Sequence, residues 1–359
     1  MNKKILSKNF KNKRIIITGH TGFKGSWLTL WLKELGANIL GLSIGEPSKP
    51  SHFKLLNLKK IKSKRIDVTN YSALKREINK FKPDFIFHLA AQAIVKKSYD
   101  SPLETFRTNF LGTVNLLDIL KDNKKETISI IITSDKSYKN IETNKGYKEE
   151  DKLGGDDPYG ASKSAADIAI NSYIKSFFKN KKNKNFVAVA RAGNVIGGGD
   201  WSENRLIPDC MKSWLQKKIV KIRNPNSTRP WQHVLDVIYG YLLLAINLKK
   251  NKRIHGEAFN FGPSIKLNYR VLDILQNSKN IWPSIKWKIV NKSKFKENYL
   301  LNLNNQKAKK IINWQPVLNI KNTIKLTIDW YKDYSLNKKF IKRKSILQIK
   351  YFENLLKKR

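Results

Sequence analysis

Tyr159 and Lys163 stand four residues apart in the run Asp157-Pro158-Tyr159-Gly160-Ala161-Ser162-Lys163. Asp157 suits a helix N-cap and Pro158 the first helical position, so the run opens a helix. On that helix Tyr159 and Lys163 share a face, one turn apart. An ammonium beside a phenol favours the phenolate and draws the tyrosine below its ordinary value of about 10. The pair then serves as a general base for a hydroxyl group, as alcohol oxidation requires. The spacing alone also fits an exposed helical pair in a lysine-rich chain. A second reactive group, Thr133-Ser134-Asp135-Lys136, closes the apolar run 128–133. A hydroxyl, a carboxylate and an amine at a strand's C-terminal end lie where open α/β sheets bind ligands. A plain turn cluster is the competing reading. It loses ground because Tyr159 and Lys163, on the next helix, would face the same crevice.

The elements that must position these groups are legible. Residues 14–18 form a β-branched run that reads as a buried strand. Gly19-His20-Thr21-Gly22-Phe23-Lys24-Gly25 follows, then apolar residues at helical spacing from Ser26 to Leu35, closed by Gly36. Strand, glycine turn and helix are the context of a dinucleotide fingerprint, with the pyrophosphate on the helix N-terminus. A structural turn is the alternative. A second strand spans 38–43. Glu46 comes a residue or two later than the acidic group that usually holds a ribose. Residues 47–60 read as a loop and 64–68 as a third strand whose Asp67-Val68 end is placed to grip an adenine. A helix at 71–81 and a strand at 84–88 follow. The strand runs into Leu89-Ala90-Ala91-Gln92, whose small residues leave room for a cofactor's ribose and phosphates. Asn109, on the next helix with Gly112 and Asn115, is placed to bond backbone near the site. A sixth strand covers 186–191.

After about 195 the α/β alternation weakens. Arg205-Leu206 opens a helix, Arg223 ends a strand, and Arg229 and His233 lie in a loop. The arginines suit a diphosphate, because guanidinium groups bind paired oxyanions bidentately. The chain therefore divides into a dinucleotide-binding Rossmann domain at 10–195, with elements returning from about 230–262. A mainly substrate-binding region follows at 196–335, then a basic tail at 336–359. The fold class is α/β, a doubly wound parallel sheet with a smaller C-terminal region.

Composition narrows the rest. The chain has 359 residues and a formal charge of +43, carried by 71 basic residues of which only 12 are arginines. Lysines are spread along the length rather than gathered with arginine and aromatics, so no nucleic-acid partner is expected. A basic nucleic-acid-binding protein on a Rossmann scaffold is the alternative from another class. The single cysteine, Cys210, excludes an intrachain disulfide and fits a reducing, cytoplasmic location. The five histidines show no metal-site spacing, and no apolar run is long enough to span a membrane. No leader peptide is read at the start of the chain.

The glycine turn through Leu28, His88-Leu89-Ala90-Ala91-Gln92, Ser134-Asp135-Lys136, Tyr159 with Lys163, the run 191–201, Arg205-Leu206-Ile207-Pro208-Asp209 and Arg229-Pro230-Trp231-Gln232-His233-Val234 together resemble the extended short-chain dehydrogenases acting on nucleotide sugars. Within that family the chain looks most like the CDP-glucose 4,6-dehydratase branch, whose mark is lysine at position 136. The resemblance implies NAD as a recycled cofactor and CDP-D-glucose as substrate, with a role in deoxysugar and surface-polysaccharide (O-antigen, lipopolysaccharide) synthesis. It implies C4 oxidation by Tyr159, Lys163 and Ser134, then loss of water across C5 and C6 with Asp135 and Lys136 as acid and base in an order left open. It implies cofactor contacts at Gly19, His20, Thr21, Gly22, Phe23, Lys24, Gly25, Asp67, Val68, Leu89, Ala90, Ala91, Gln92, Asn109, Tyr159 and Lys163. Substrate contacts are expected at Asn194, Arg205, Leu206, Arg223, Arg229, His233 and Tyr299. It implies no metal, and a homodimer packed through two long helices per subunit. A dehydratase or epimerase for another nucleotide sugar is the runner-up.

Overall fold

The apolar runs assemble into one parallel sheet. Its strands are β1 (Arg14–Thr18), β2 (Asn38–Ser43), β3 (Lys62–Arg65), β4 (Phe85–His88), β5 (Thr127–Ile132), β6 (Asn185–Ala192) and β7 (Ala258–Phe261). They lie in the order β7-β6-β5-β4-β1-β2-β3. The computed structural model describes residues 3–143, 145–179, 183–264, 269–290 and 300–358. All six strand pairings are parallel. Strand order reverses between β1 and β4, so the crevice for a ligand opens above Thr18 and His88 at their carboxyl ends.

Both faces of the sheet are covered, which is why its central strands read as continuous rather than alternating apolar runs. Ile15 and Ile17 of β1 enter one core, and Ile16 enters the other. The first core is closed by α1 (Lys3–Phe10), α2 (Phe23–Glu34) and later helices. The second is closed by α3 (Tyr71–Phe81), α4 (Gly112–Asp122) and α5 (Pro158–Tyr173). The smaller region holds α6 (Leu206–Leu215) and a strand pair, Val220–Ile222 with Trp287–Ile289. Helix α7 (Val234–Lys250) returns under the sheet and leads to β7. Then come α8 (Val271–Ile281), α9 (Gln306–Ile312), α10 (Ile320–Leu336) and α11 (Ile341–Lys357).

Two expectations need correction. The third strand is Lys62–Arg65, not 64–68, and all four of its residues are exposed. A sheet edge with no buried face gives no apolar pattern to read, and pairing with β2 alone sets its position. The segment 47–60 is not all loop. His52–Leu56 forms a helix, with the Ser51 side chain accepting from Lys54 N–H at 3.4 Å. Its His52 is buried between Trp27 and Trp330.

The basic segment 336–359 carries α11, whose inner face is packed against α2. Phe352 is fully buried edge-on to Trp31, and Trp31 Nε1 donates to Glu353 Oε1 at 3.0 Å. Ser345 accepts from Trp330 Nε1 at 3.0 Å and lies 3.2 Å from His52 Nε2, and His52 Nδ1 lies 2.7 Å from Ser26 Oγ. The last helix thereby buttresses α2, which carries the glycine turn.

Candidate active site

The glycine turn is built by close approach. Gly19 has φ +72°, and a Cβ there would sit 2.8 Å from Ala90 N. A Cβ on Gly25 would sit 2.1 Å from Gly19 O. Only glycine lets β1, the Leu89–Gln92 segment and the start of α2 come this close. Gly22 is the N-cap of α2 and offers no side-chain cap, so the helix's first N–H groups stay open to an anion. Thr21 Oγ1 donates to Gly45 O at 2.5 Å, and Phe23 lies against the backbone at Gly197.

His20 departs from its expected place. Its ring nitrogens lie 2.8 Å from Ser43 Oγ and 2.8 Å from Ser63 Oγ, and the ring rests on Gly41 and Phe53. Burial pulls it down to about 4. Its side chain is therefore a neutral wedge between β2 and β3, which leaves a cofactor contact to its backbone. Glu46 pairs with Lys54 at 3.5 Å. Asp67 is exposed and accepts from Thr69 N–H at 2.8 Å, while Val68 is buried against Gly112.

Asn109 does what its position suggested. Fully buried in a π-helical turn, Arg107–Leu111, it accepts from Gln92 N–H at 2.8 Å and donates to Gln92 O at 3.0 Å. Its amide also donates to Ser162 Oγ at 2.9 Å, and Ser162 donates to Tyr159 O at 2.7 Å. One side chain thus ties the Ala90–Gln92 turn to the helix bearing Tyr159.

Asp157 caps α5, accepting from Gly160 N–H at 2.8 Å. A Cβ on Gly160 would meet Lys136 O at 2.8 Å, so glycine lets α5 close on the Asp135–Ser137 turn. The two reactive groups do meet. Tyr159 lies beside Ser134 and within electrostatic reach of Asp135 and Arg205. The Lys163 ammonium donates to Ile132 O at 3.2 Å. The expected electrostatics, however, are reversed. Burial raises the Tyr159 phenol above its ordinary value, outweighing the help from Ser134 and Arg205. Burial, with the Lys24 charge adding to it, lowers Lys163 to about 7. Desolvation penalises the charged form of each.

Asp135 is buried, and desolvation raises its carboxyl. Its Oδ1 accepts from Ser134 Oγ at 2.9 Å, while Oδ2 has no hydrogen-bond partner among the described residues. Thr133 Oγ1 and Ser137 Oγ are unpartnered in the same sense. A cluster of unsatisfied polar atoms at a strand end is what a ligand site leaves in the free protein. Lys136 is different. Its side chain is one-third exposed and pairs with Asp157 at 3.5 Å. Lys24, read only as part of the glycine turn, reaches the same cluster. Burial lowers it to about 8, and it interacts with Arg205, Asp135 and Asp200.

Arg205 opens α6 and reaches across the crevice. It donates to Asp200 Oδ2 at 3.3 Å and to Ala93 O at 3.1 Å. Leu206 packs against the core, and Asn194 O accepts from Gln232 N–H at 3.1 Å. Arg223 is exposed after the strand Val220–Ile222, and Arg229 donates to Thr228 O at 2.8 Å. His233, expected at the substrate, is fully buried. Its Nδ1 accepts from Leu235 N–H at 3.2 Å as the N-cap of α7, and burial lowers it to about 3. It is a helix cap. Tyr299 lies outside the described residues. Asp200 and Tyr241 join the site without having been singled out. Asp200 ends a glycine run that could have drawn notice. Tyr241 lies close enough to Tyr159 to feel its charge, but sits in an apolar helix that carries no signal. Among the described residues no cluster of three metal-binding side chains occurs, and no helix is long and apolar enough to cross a membrane.

Residues 16–327 match the family model described as GDP-mannose 4,6 dehydratase. The chain is 39% identical to CDP-glucose 4,6-dehydratase of Salmonella typhimurium over 91% of this chain and 93% of that one. It is 26% identical to UDP-glucose 4-epimerase of Mycoplasma genitalium over 89% and 97%. The crystal structure of dTDP-glucose 4,6-dehydratase from Bacillus anthracis in complex with NAD shares its fold. The TM-score is 0.73 at 20% identity, covering 89% of this chain and 96% of that one.

Proposed function

The chain belongs to the GDP-mannose 4,6-dehydratase family, and we propose that within it the substrate is CDP-D-glucose and the product CDP-4-dehydro-6-deoxy-D-glucose. The enzyme is an NAD-dependent hydro-lyase of nucleotide sugars. The observation that carries the dehydratase reading is Asp135. It is a buried carboxyl whose proton affinity desolvation raises, with one oxygen unpartnered, beside Tyr159. An epimerase needs no acid there, because no hydroxyl leaves. The CDP reading rests on the 39% identity to the Salmonella enzyme and on Lys136 following Asp135.

The cradle fits NAD: the two glycines tolerate no Cβ, and the uncapped N-terminus of α2 faces the crevice. Gly19, Gly22 and Gly25 would hold its pyrophosphate, and Ala90 and Ala91 its ribose. A bound NAD would supply the acceptor for the C4 hydride and its source for C6, and its positive charge would favour the Tyr159 phenolate. Tyr159 takes the C4 hydroxyl proton, with Ser134 orienting that hydroxyl and Lys163 supplying positive charge. The resulting ketone acidifies the C5 hydrogen. Asp135 gives its proton to the departing C6 hydroxyl, for which its raised affinity suits it. Lys136 is the base assigned to C5 and gives a proton back to C5 as the hydride returns to C6, a role that requires it to leave Asp157. Arg205 is placed to meet the diphosphate by exchanging its Ala93 carbonyl for phosphate oxygens.

The protein is proposed to act in the cytoplasm as a homodimer. Leu111 and Ile168, 39% and 59% exposed, lie on neighbouring helical segments with Leu103 and Tyr99, an apolar face suited to a second copy. The function is tested by incubating the protein with NAD and CDP-glucose, with dTDP-, UDP- and GDP-glucose in parallel. A 4-keto-6-deoxy sugar from CDP-glucose without net NADH is the expected result. Net NADH would remove the elimination step, and turnover of another nucleotide alone would overturn the substrate.

A further inference from the structure

Behind the site lies a buried ionic network that the chemistry above does not use. Asp167 stands one turn beyond Lys163 on α5 and Arg191 near the end of β6, and both are almost fully buried. Arg191 Nη2 donates to Asp167 Oδ1 at 3.1 Å, and its Nε to Asp167 Oδ2 at 3.3 Å. Its Nη1 donates to Tyr138 Oη at 2.8 Å and to Glu149 O at 3.1 Å. The guanidinium also lies over the Tyr138 ring, 4.8 Å from its centroid. Tyr138 in turn donates to Asn260 Oδ1 of β7 at 2.8 Å and stacks on Tyr147 at 5.2 Å.

Tyr138 is the residue that ends the Asp135–Ser137 turn, its N–H donating to Asp135 O at 3.3 Å. Asp167 is on the helix that carries Tyr159 and Lys163. The network therefore joins the two pieces of backbone that hold the reacting groups. None of the side-chain atoms of Tyr138, Asp167, Arg191 or Asn260 is among the unsatisfied ones, in contrast to Asp135 Oδ2 next door. A buried ion pair is weak evidence for stability, since an apolar replacement is often neutral or better. What a fully satisfied pair with a planar fork does supply is direction and fixed spacing.

We infer that Asp167, Arg191 and Tyr138 are positioning residues that set the separation between the Asp135 turn and the Tyr159–Lys163 pair. The inference rests on the dehydratase reading, in which the two groups act on successive steps. If their spacing is relaxed, C4 oxidation continues while the elimination at C5 and C6 lags.

Tyr138→Phe is the cleanest test. It keeps the ring under Arg191 and against Tyr147 and removes only the hydroxyl. With CDP-glucose and NAD, kcat is expected to fall about 10- to 100-fold, the scale of a small misplacement. KM for CDP-glucose should stay within about twofold. Reduced-nicotinamide absorbance should rise on the enzyme during turnover, where the parent shows little. Arg191→Lys, which keeps the charge and loses the fork, should do the same. The two variants are independent, so one that fails to fold leaves the other to decide. A lowered Tm with unchanged kcat and absorbance would make the network merely structural and overturn the inference. A fall in kcat without that absorbance would overturn it too, because both steps would then have suffered together. If the parent itself makes no 4-keto-6-deoxy sugar, the dehydratase reading fails and takes the inference with it.

Discussion

Lys163→Met should stabilise the ligand-free protein while disabling it. The ammonium is held at about 7 against an ordinary 10.5, chiefly by burial and next by Lys24. Each tenfold change in proton affinity is worth about 1.4 kcal/mol, so the fold works against the charged form by about 4–5 kcal/mol. Methionine keeps most of the packing and loses one hydrogen bond to Ile132 O, worth about 1 kcal/mol. The net gain near pH 7 is therefore about 2–4 kcal/mol, a rise in Tm of at least about 3 °C. The folded value is depressed, so the gain has a definite pH dependence. Above 10.5 the lysine is neutral in both folded and unfolded chains and the gain vanishes. As pH falls from 10.5 to about 7 only the unfolded chain takes up the proton, so the gain grows. Below about 7 it is constant. Melting curves of parent and variant at several pH values between about 6 and about 10 measure it. Activity of the variant should fall about 10²- to 10⁴-fold. A variant less stable than the parent at neutral pH would refute the reasoning. So would a gain that does not shrink as pH rises.

Gly25→Ala places a methyl 2.1 Å from Gly19 O, and NAD affinity measured by fluorescence titration should fall at least about tenfold through the displaced turn. Asp135→Asn removes the acid for the C6 hydroxyl, so keto-sugar formation should fall about 10²-fold or more, with NAD affinity unchanged by the same titration. Phe352→Ala opens the contact between α11 and Trp31, and urea unfolding should show a loss of about 3–5 kcal/mol.

Much of this was legible in the residues. β1 and β2 end about where their apolar runs end, because a strand buried on both faces is predominantly apolar inside. The N-cap and Pro158 placed α5, and the glycine turn placed α2, because both are local rules of backbone geometry. The edge strand β3 was misplaced for the opposite reason, since it buries nothing. His20 and His233 were taken for ligand contacts on motif membership alone. Both His20 ring nitrogens face Ser43 and Ser63, and His233 Nδ1 caps α7 while its Nε2 has no partner among the described residues, an arrangement that only folding supplies.

Residue types and spacing singled out Ser134, Asp135, Tyr159 and Lys163 as the groups that could do chemistry, and the strand end and helix that carry them pack together. Their protonation was decided by the tertiary structure. Spacing on a helix says that Lys163 can reach Tyr159, but burial decides which charge survives. Desolvation depends on every atom packed around the pair, from Ile132 to Lys24, and those atoms come from elements far apart in the chain.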